Sequence, residues 1–560
     1  MRSSRTYASG LLFFTLSWLA YDHYWPWVNF HSEMLAFVGL FWLFASVLFQ
    51  AGGSAILPRM SIWVSLTILL PWLQYAAGVN FFAGDALLSS LYLYGLLLAV
   101  VVGYAFTRVD VDHPAFGVMG LMHSLWIAAL VSAAIGLAQW LNVDSPLGMY
   151  VVQSDAGDRA MGNLGQPNQL ATLLLMGMVA FAYVFERQVI GRLAFSLGIG
   201  FMTGVLILAQ SRAGMLSVFV VAAYLIWKKR LVKSRLSGKA VAWWASCFLI
   251  GTLALPHLSE LLLLGDVRGI RAAEPLSQRW RMWQQIAYAV AQSPWVGYGW
   301  NQTPAAHAAS AVALPGPIPY SNAHNFVMEM LAWNGLPLGL LLTGAIAYWF
   351  LKRMRSSVNQ QAVHAMTCLL PFAVHSMLEY PFAYAYFLIA AGFMAGIVEA
   401  AVAPAKPITV NARWACGFLA CWVSVGAYMT YEYFLIEEDF RTVRFENLSL
   451  GKTPETYEVP HVWMMSHMGA MLKARRLVIE PNMEKSDVEM LRRVSQRFSQ
   501  NVLHFRYVKA LGLNADPVGA AHQMAIIRGM YGEKYYVACK SELRRLEKEK
   551  YPQLAAVMAD

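Results

Sequence analysis

The sequence predicts an all-α polytopic membrane protein of about thirteen transmembrane helices, followed by an all-helical C-terminal domain. Three observations carry this. The 560 residues are 58% hydrophobic and only 13% charged, with mean hydropathy +0.46, whereas soluble domains carry about 25% charge. Apolar runs long enough to cross a bilayer recur from the N-terminus to about residue 434. From about 436 onward charged residues become frequent, and apolar positions adopt helical spacing. We therefore expect a transmembrane domain over 1–435, with a large loop at about 258–323, and a helical domain over 436–560.

The first run, GLLFFTLSWLA after MRSSR, resembles a signal peptide, but Tyr21, Asp22, His23, Tyr24 and Trp25 follow in place of a small-residue cleavage site, so a retained first helix near 8–24 is expected. Further spans are expected near 33–51, 60–78, 86–106, 115–141, 167–185, 193–210, 213–228, 240–257, 324–351, 362–378, 382–401 and 412–434. With the N-terminus inside, the cytoplasmic segments hold seventeen basic residues, among them the KKRLVKSRLSGK loop at 228–239. The outer loops hold six: Arg159, Arg212, Arg268, Arg271, Arg279 and Arg281. An odd number of spans then puts the C-terminal domain outside. In the tail, VEMLRRVSQRFSQ and VGAAHQMAIIRGMYG read as helices, with turns at EPN (480–482) and ADP (515–517).

The net charge of +10 is accounted for by this loop bias, and no aromatic-lined basic groove points to nucleic acid. The five cysteines imply neither a disulfide framework nor a zinc site. GFMTG (200–204), GLPLG (335–339) and GFMAG (392–396) have the small-xxx-small spacing of close helix packing.

Five polar patches lie on the expected outer side. His324 and Asn325 stand where a polar loop enters the span at 324–351, with His324 expected in the first helical turn and Ser321 or Asn322 as its cap. The positive end of a helix disfavours imidazolium, so a neutral ring there can accept a hydroxyl proton. Arg212, in QSRAGM, sits at a helix start, and Arg279 and Arg281 lie in the amphipathic SQRWRMWQQIAYAVAQ of the large loop, where Arg279 and Trp283 share a face. Guanidinium groups near a base suit an anionic group such as a diphosphate, although anchoring lipid headgroups is the plainer role for each arginine alone. Gln166, Asn168 and Gln169 cluster around Pro167 at another helix start, where amides can bond sugar hydroxyls. His375 and Glu379 are four apart on one expected helix face, followed by Tyr380. Asp110 with Asp112 (expected inside) and Asp155 with Asp158 make no convincing cation site, Asp85 is expected to cap a loop rather than bind substrate polar groups, and no metal or other cofactor is expected.

The patches QSRAG, QRWRMW…SPWVGYGW and AHNFVMEMLAWNGLPLG resemble the membrane enzymes that share the O-antigen ligase/polymerase domain. RAMGNLGQPNQLA and HSMLEYPFAYAYFL, with the helical tail, are similar to one branch of it, the bacterial O-oligosaccharyltransferases that glycosylate pilins and other exported proteins. The resemblance implies a GT-C-like inner-membrane enzyme that moves a glycan en bloc from undecaprenyl diphosphate to a Ser or Thr hydroxyl of a pilin-like protein in the periplasm. It implies catalytic roles for His324, Arg212 and Arg279, with Arg281 as an alternative register for the last. Gln166, Asn168, Glu379 and Tyr380 match the branch motifs, and Gln169, Asn325 and His375 are grouped with them as substrate-binding residues. The acidic residue that many relatives carry before the glycine is Asn334 here, and no chemistry is assigned to it. An O-antigen ligase with lipid A-core as acceptor, a polymerase, a lipid or solute transporter and a partner-binding scaffold are the competing readings. Polar patches confined to one surface, without internal repeats, weigh against transport.

Overall fold

A computed structural model describes all residues except 1, 51–54, 110–116, 154–158, 262–275, 403–405, 449, 452, 455 and 559–560. Asp110, Asp112, Asp155, Asp158, Arg268 and Arg271 therefore lie outside the described residues. Of the described residues, 76% are helical. A helix stands at each of the thirteen apolar runs. Among the described residues, seven helices are long and apolar enough to cross a membrane: Phe30–Gln50, Ala83–Arg108, Val118–Trp140, Pro167–Glu186, Gly238–Leu261, Phe326–Ser356 and Ala385–Val402. Met60–Ala76 and Arg192–Leu208 are shorter apolar helices. Among the described residues the departure from helix is a two-stranded antiparallel ribbon, Ala55–Leu57 with Ile408–Val410.

The chain forms two compact units interleaved in sequence. One comprises Met1–Thr67, Tyr92–Ala273 and Ala347–Val425; the other Ile68–Leu91, Glu274–Ile346 and Gly426–Asp560.

The first unit is built around Pro167–Glu186, in which every residue from Gln169 to Glu186 is buried. Val118–Trp140, Arg192–Leu208, Arg212–Lys229 and Gln360–Ser376 pack around it. Such all-round burial explains why its sequence is apolar on every face. GFMAG makes the predicted close contact: a Cβ on Gly396 would meet the Val100 carbonyl oxygen at 2.1 Å. GFMTG does not, since Cβ atoms on Gly200 and Gly204 would meet no heavy atom within 4 Å. Composition marks a helix that permits close approach, but the neighbours decide whether one occurs. Glu399 accepts from Arg353 through two bonds of 2.6 and 2.9 Å and from the Trp349 indole at 2.6 Å.

The second unit joins part of the large loop to the tail helices Ser466–Arg476, Lys485–Arg497, Asn501–Leu513, Pro517–Tyr531 and Glu533–Glu549. Its tail core contains Val508, Leu511, Met524, Ile527, Leu543 and Cys539, so the one cysteine in a polar stretch of sequence is a buried hydrophobe like Cys368, whereas Cys416 and Cys421 in the apolar run are exposed. The turns fall where expected, with Asn482 and Ala515 at positive φ and Asp516 capping the next helix through Gly519 N–H at 2.8 Å. The last apolar run continues as one helix, Ala412–Asn447, well past its apolar end. Polar contacts hold the extension. Glu432 accepts from the backbone N–H groups of Trp463, Met464 and Met465, and Arg476 bridges Asp439 and Glu446 at 2.7 and 2.8 Å.

GLPLG interrupts its helix. Gly335 has φ +73° and ψ −176°, a conformation essentially restricted to glycine. Segment 293–299 docks against the break: Leu336 N–H bonds Pro294 O at 2.7 Å, Tyr298 N–H bonds Ala332 O at 2.8 Å and Gly299 N–H bonds Trp333 O at 3.1 Å. Asn334 is buried and structural, accepting from Gln74 at 3.2 Å and donating to Met330 O at 3.1 Å.

Candidate active site

Seven of the residues singled out from the sequence fall in the first unit. Asn168 lies in the first turn of Pro167–Glu186, just past Gln166, which occupies the N-cap position without a side-chain capping bond. Its amide faces two ways, accepting from Ser211 Oγ at 2.7 Å and donating to Glu379 Oε1 at 3.3 Å. Ser211 caps the helix that opens with Arg212, accepting from Gly214 N–H at 2.9 Å. One hydrogen-bonded chain thus links Glu379, Asn168 and Ser211 and fixes the backbone beside Arg212, whose side chain is exposed. Gln169 Oε1 accepts from Tyr386 Oη at 2.8 Å, and His375 Nδ1 pairs with Thr172 Oγ1 at 2.9 Å.

His375 and Glu379 do not share a helix face. The helix Gln360–Ser376 ends between them, and Glu379 sits in the following turn with its N–H on His375 O at 2.8 Å. Tyr380 is half-buried and stacks on Tyr384 at 5.8 Å.

The sequence reading missed Ser211, Thr172, Tyr386, Glu33 and Tyr92. The last two are bonded to each other, and Glu33 also accepts from the Trp27 indole at 2.9 Å. A serine just before a helix and a carboxylate inside an apolar run were the available signals for Ser211 and Glu33.

The second unit holds Arg279, Arg281, His324 and Asn325. The amphipathic segment is a helix, Leu276–Gln292, with Met282, Gln285 and Ile286 buried and Trp280 exposed. Arg279 is half-buried on it. Arg281 is exposed and turns back onto the loop, donating to Pro315 O from Nε at 3.1 Å and Nη2 at 2.8 Å.

His324 stands outside the helix, not in its first turn. The helix begins at Phe326, and His324 has φ +49°, a left-handed backbone uncommon for a residue with a side chain. The cap is Asn325, whose Oδ1 accepts from Met328 N–H at 3.1 Å, while Ser321 is engaged by Ser499 at 2.8 Å. The capping rule favours any of these side chains; backbone geometry selected the one three residues ahead of the accepted N–H.

The backbone around Ala323 is held on both sides. Its N–H donates to Glu329 Oε2, and its carbonyl accepts from Trp283 Nε1 at 3.0 Å. Trp283 lies one turn after Arg279 on the same helix, so the helix bearing the arginine is bonded directly to the residue preceding His324. Glu329 is fully buried, and its other oxygen accepts from Thr303 Oγ1 at 2.5 Å. Chemically, one unit presents a cation beside an amide–carboxylate chain, and the other presents an imidazole and a guanidinium on bonded elements. Among the described residues no group of three or more His, Cys, Asp or Glu side chains could hold a metal ion.

Three family models match the chain: protein glycosylation ligase over residues 160–185, O-antigen ligase over 197–343, and the C-terminal part of virulence factor membrane-bound polymerase over 363–545. The chain is 30% identical over 418 residues to a general O-oligosaccharyltransferase of Acinetobacter baylyi, covering 72% of each. It is 26% identical over 379 residues to a ComP-specific O-oligosaccharyltransferase of the same organism, covering 66% of each. The motif regions fall inside these matches, Gln166–Gln169 in the first model, Arg212, Arg279 and His324 in the second, and His375–Tyr380 in the third. With that extent of shared sequence and a membrane-type helical fold, the chain belongs to the O-oligosaccharyltransferase family of membrane proteins related to O-antigen ligases.

Proposed function

We propose that this protein is an O-oligosaccharyltransferase that moves a glycan as a block from undecaprenyl diphosphate to Ser or Thr hydroxyls of pilin-like or other periplasmic proteins. The observation that carries the class is the 30% identity over 72% of both chains with a general O-oligosaccharyltransferase. In this reading the chain crosses the inner membrane about thirteen times, with the N-terminus cytoplasmic and the loop and tail helices periplasmic; the basic-residue bias supports that orientation.

The acceptor oxygen attacks the anomeric carbon as its proton passes to His324. The carbon–oxygen bond to the diphosphate breaks, and undecaprenyl diphosphate leaves with its electron pair. Arg212 and Arg279 stabilise the developing negative charge, as preorganised cations do where charge appears in a transition state. Proton abstraction by a positioned imidazole contributes about 10²–10⁴-fold. Attack opposite the leaving group inverts the anomeric centre. Gln166, Asn168, Gln169, Asn325, His375, Glu379 and Tyr380 bind the donor sugars and the acceptor. Arg279, not Arg281, is assigned to the diphosphate because it stands four residues before Trp283, whose indole bonds the residue preceding His324. No metal ion takes part.

Mass spectrometry of exported proteins tests this, with glycopeptides expected in cells carrying the gene and lost with His324→Ala, Arg212→Ala or Arg279→Ala. An unchanged glycoproteome in gene-deleted cells would refute it. The O-antigen ligase match over 197–343 favours lipid A-core as a second acceptor, and transfer to purified lipid A-core but not to pilin would establish that alternative.

A further inference from the structure

We propose that Glu329 and Trp283 are positioning residues that hold His324 in its working conformation and keep it in register with Arg279. This rests on the reading of His324 as the base. A non-glycine residue at φ +49° is disfavoured and persists only where its surroundings hold it.

Two bonds do so from opposite sides. The Ala323 carbonyl belongs to the peptide plane that ends in the His324 nitrogen. The bond from Trp283 Nε1, at 3.0 Å, therefore fixes the plane about which the His324 φ is set. On the preceding plane, Glu329 Oε2 takes the Ala323 N–H. Ala323 itself is completely buried, so water cannot replace either partner.

The carboxylate is oriented in its turn. Its second oxygen accepts from Thr303 Oγ1, which also accepts from the Trp333 indole at 2.9 Å. The Glu329 N–H bonds Asn325 O at 2.9 Å, placing the side chain one helical turn above the loop it grips. Trp283 has the second consequence. It stands four residues after Arg279, so the same indole bond joins the helix carrying the cation to the loop carrying the base. Neither residue needs to touch substrate; each acts through His324.

The test uses the full-length enzyme in detergent, with undecaprenyl-diphosphate-linked oligosaccharide extracted from the source cells and their own acceptor protein. Glu329→Leu and Trp283→Phe should each lower kcat by about 10- to 100-fold, the scale of a misplacement near 1 Å, with the donor KM within about threefold. Glu329→Gln keeps an acceptor for the Ala323 N–H and should retain at least about a third of kcat, a rescue that generic destabilisation would not give. In a His324→Ala background, Trp283→Phe should cost less than about twofold, because the group it positions is gone. Trp283→Phe carries the decision if Glu329→Leu does not fold, since phenylalanine keeps an aromatic ring in the packing and removes the donor. An impaired His324→Ala enzyme in which Trp283→Phe still costs its full factor would overturn the positioning role alone. Wild-type turnover in His324→Ala would overturn the reading of the site, and this proposal with it.

Discussion

Replacing Arg497 with methionine removes the partner of a carboxylate that has no access to water. Asp85 is completely buried, and Arg497 holds it through three contacts of 2.6 to 2.9 Å, with its own side chain 16% exposed. The two residues are 412 positions apart, so this bond joins the start of the helix Ala83–Val109 to the end of a tail helix within one compact unit. Breaking such a pair by removing one partner costs about 3–5 kcal/mol, because the remaining charge stays buried. For a unit of this size each kcal/mol moves the melting point by about 2–4 °C, so a fall near 10 °C is expected. Thermal unfolding in detergent, followed by protease susceptibility of the tail, reads it out. The combined Asp85→Asn/Arg497→Met variant should recover most of the loss, because no unpaired charge remains. A single variant within 2 °C of wild type, or a double variant no better than the single, would show that the pair does not anchor the tail.

Three further outcomes are expected. Burial, with a smaller effect of the neighbouring His504, pushes the His307 ring down to about 3, and burial pushes His504 and His467 down to about 4. Above pH 6.5 these rings are neutral in folded and unfolded chains alike, and their stabilising effect is fully present there. As pH falls from 6.5 towards 4 the unfolded chain takes up protons first, so stability is lost, by about 3 kcal/mol for His504 alone. Melting curves between pH 7.5 and 4.5 should slope accordingly, and less steeply in His504→Gln; identical slopes would refute the assignment. Gly335→Ala should destabilise by about 3 kcal/mol or more, since a Cβ there would lie 2.6 Å from Pro294 O and 2.8 Å from Val296 N on a backbone closed to alanine. A melting point unchanged by that substitution would show that the 293–299 segment yields. Transfer should survive EDTA, and activity restored only by Mg²⁺ or Mn²⁺ would refute the metal-free mechanism.

The sequence by itself determined which apolar runs become helices. Apolar runs of bilayer length and tail segments of 3.6-residue spacing are local properties, and a helix satisfies its backbone hydrogen bonds within its own segment, so each run needs no knowledge of its neighbours. It also yielded the residues around which both polar clusters form, because ionisable or amide side chains at the ends of apolar runs are costly and conspicuous. What the tertiary structure alone decided are the partners. That Asn168 reaches Ser211 and Glu379, that Trp283 and Glu329 take the two sides of Ala323, and that Asp85 meets Arg497 are contacts between residues distant in sequence, and no periodicity encodes them. The same holds for GLPLG and GFMTG. Spacing shows that a backbone can be approached, and only the neighbouring chain determines whether it bends, packs or stays open.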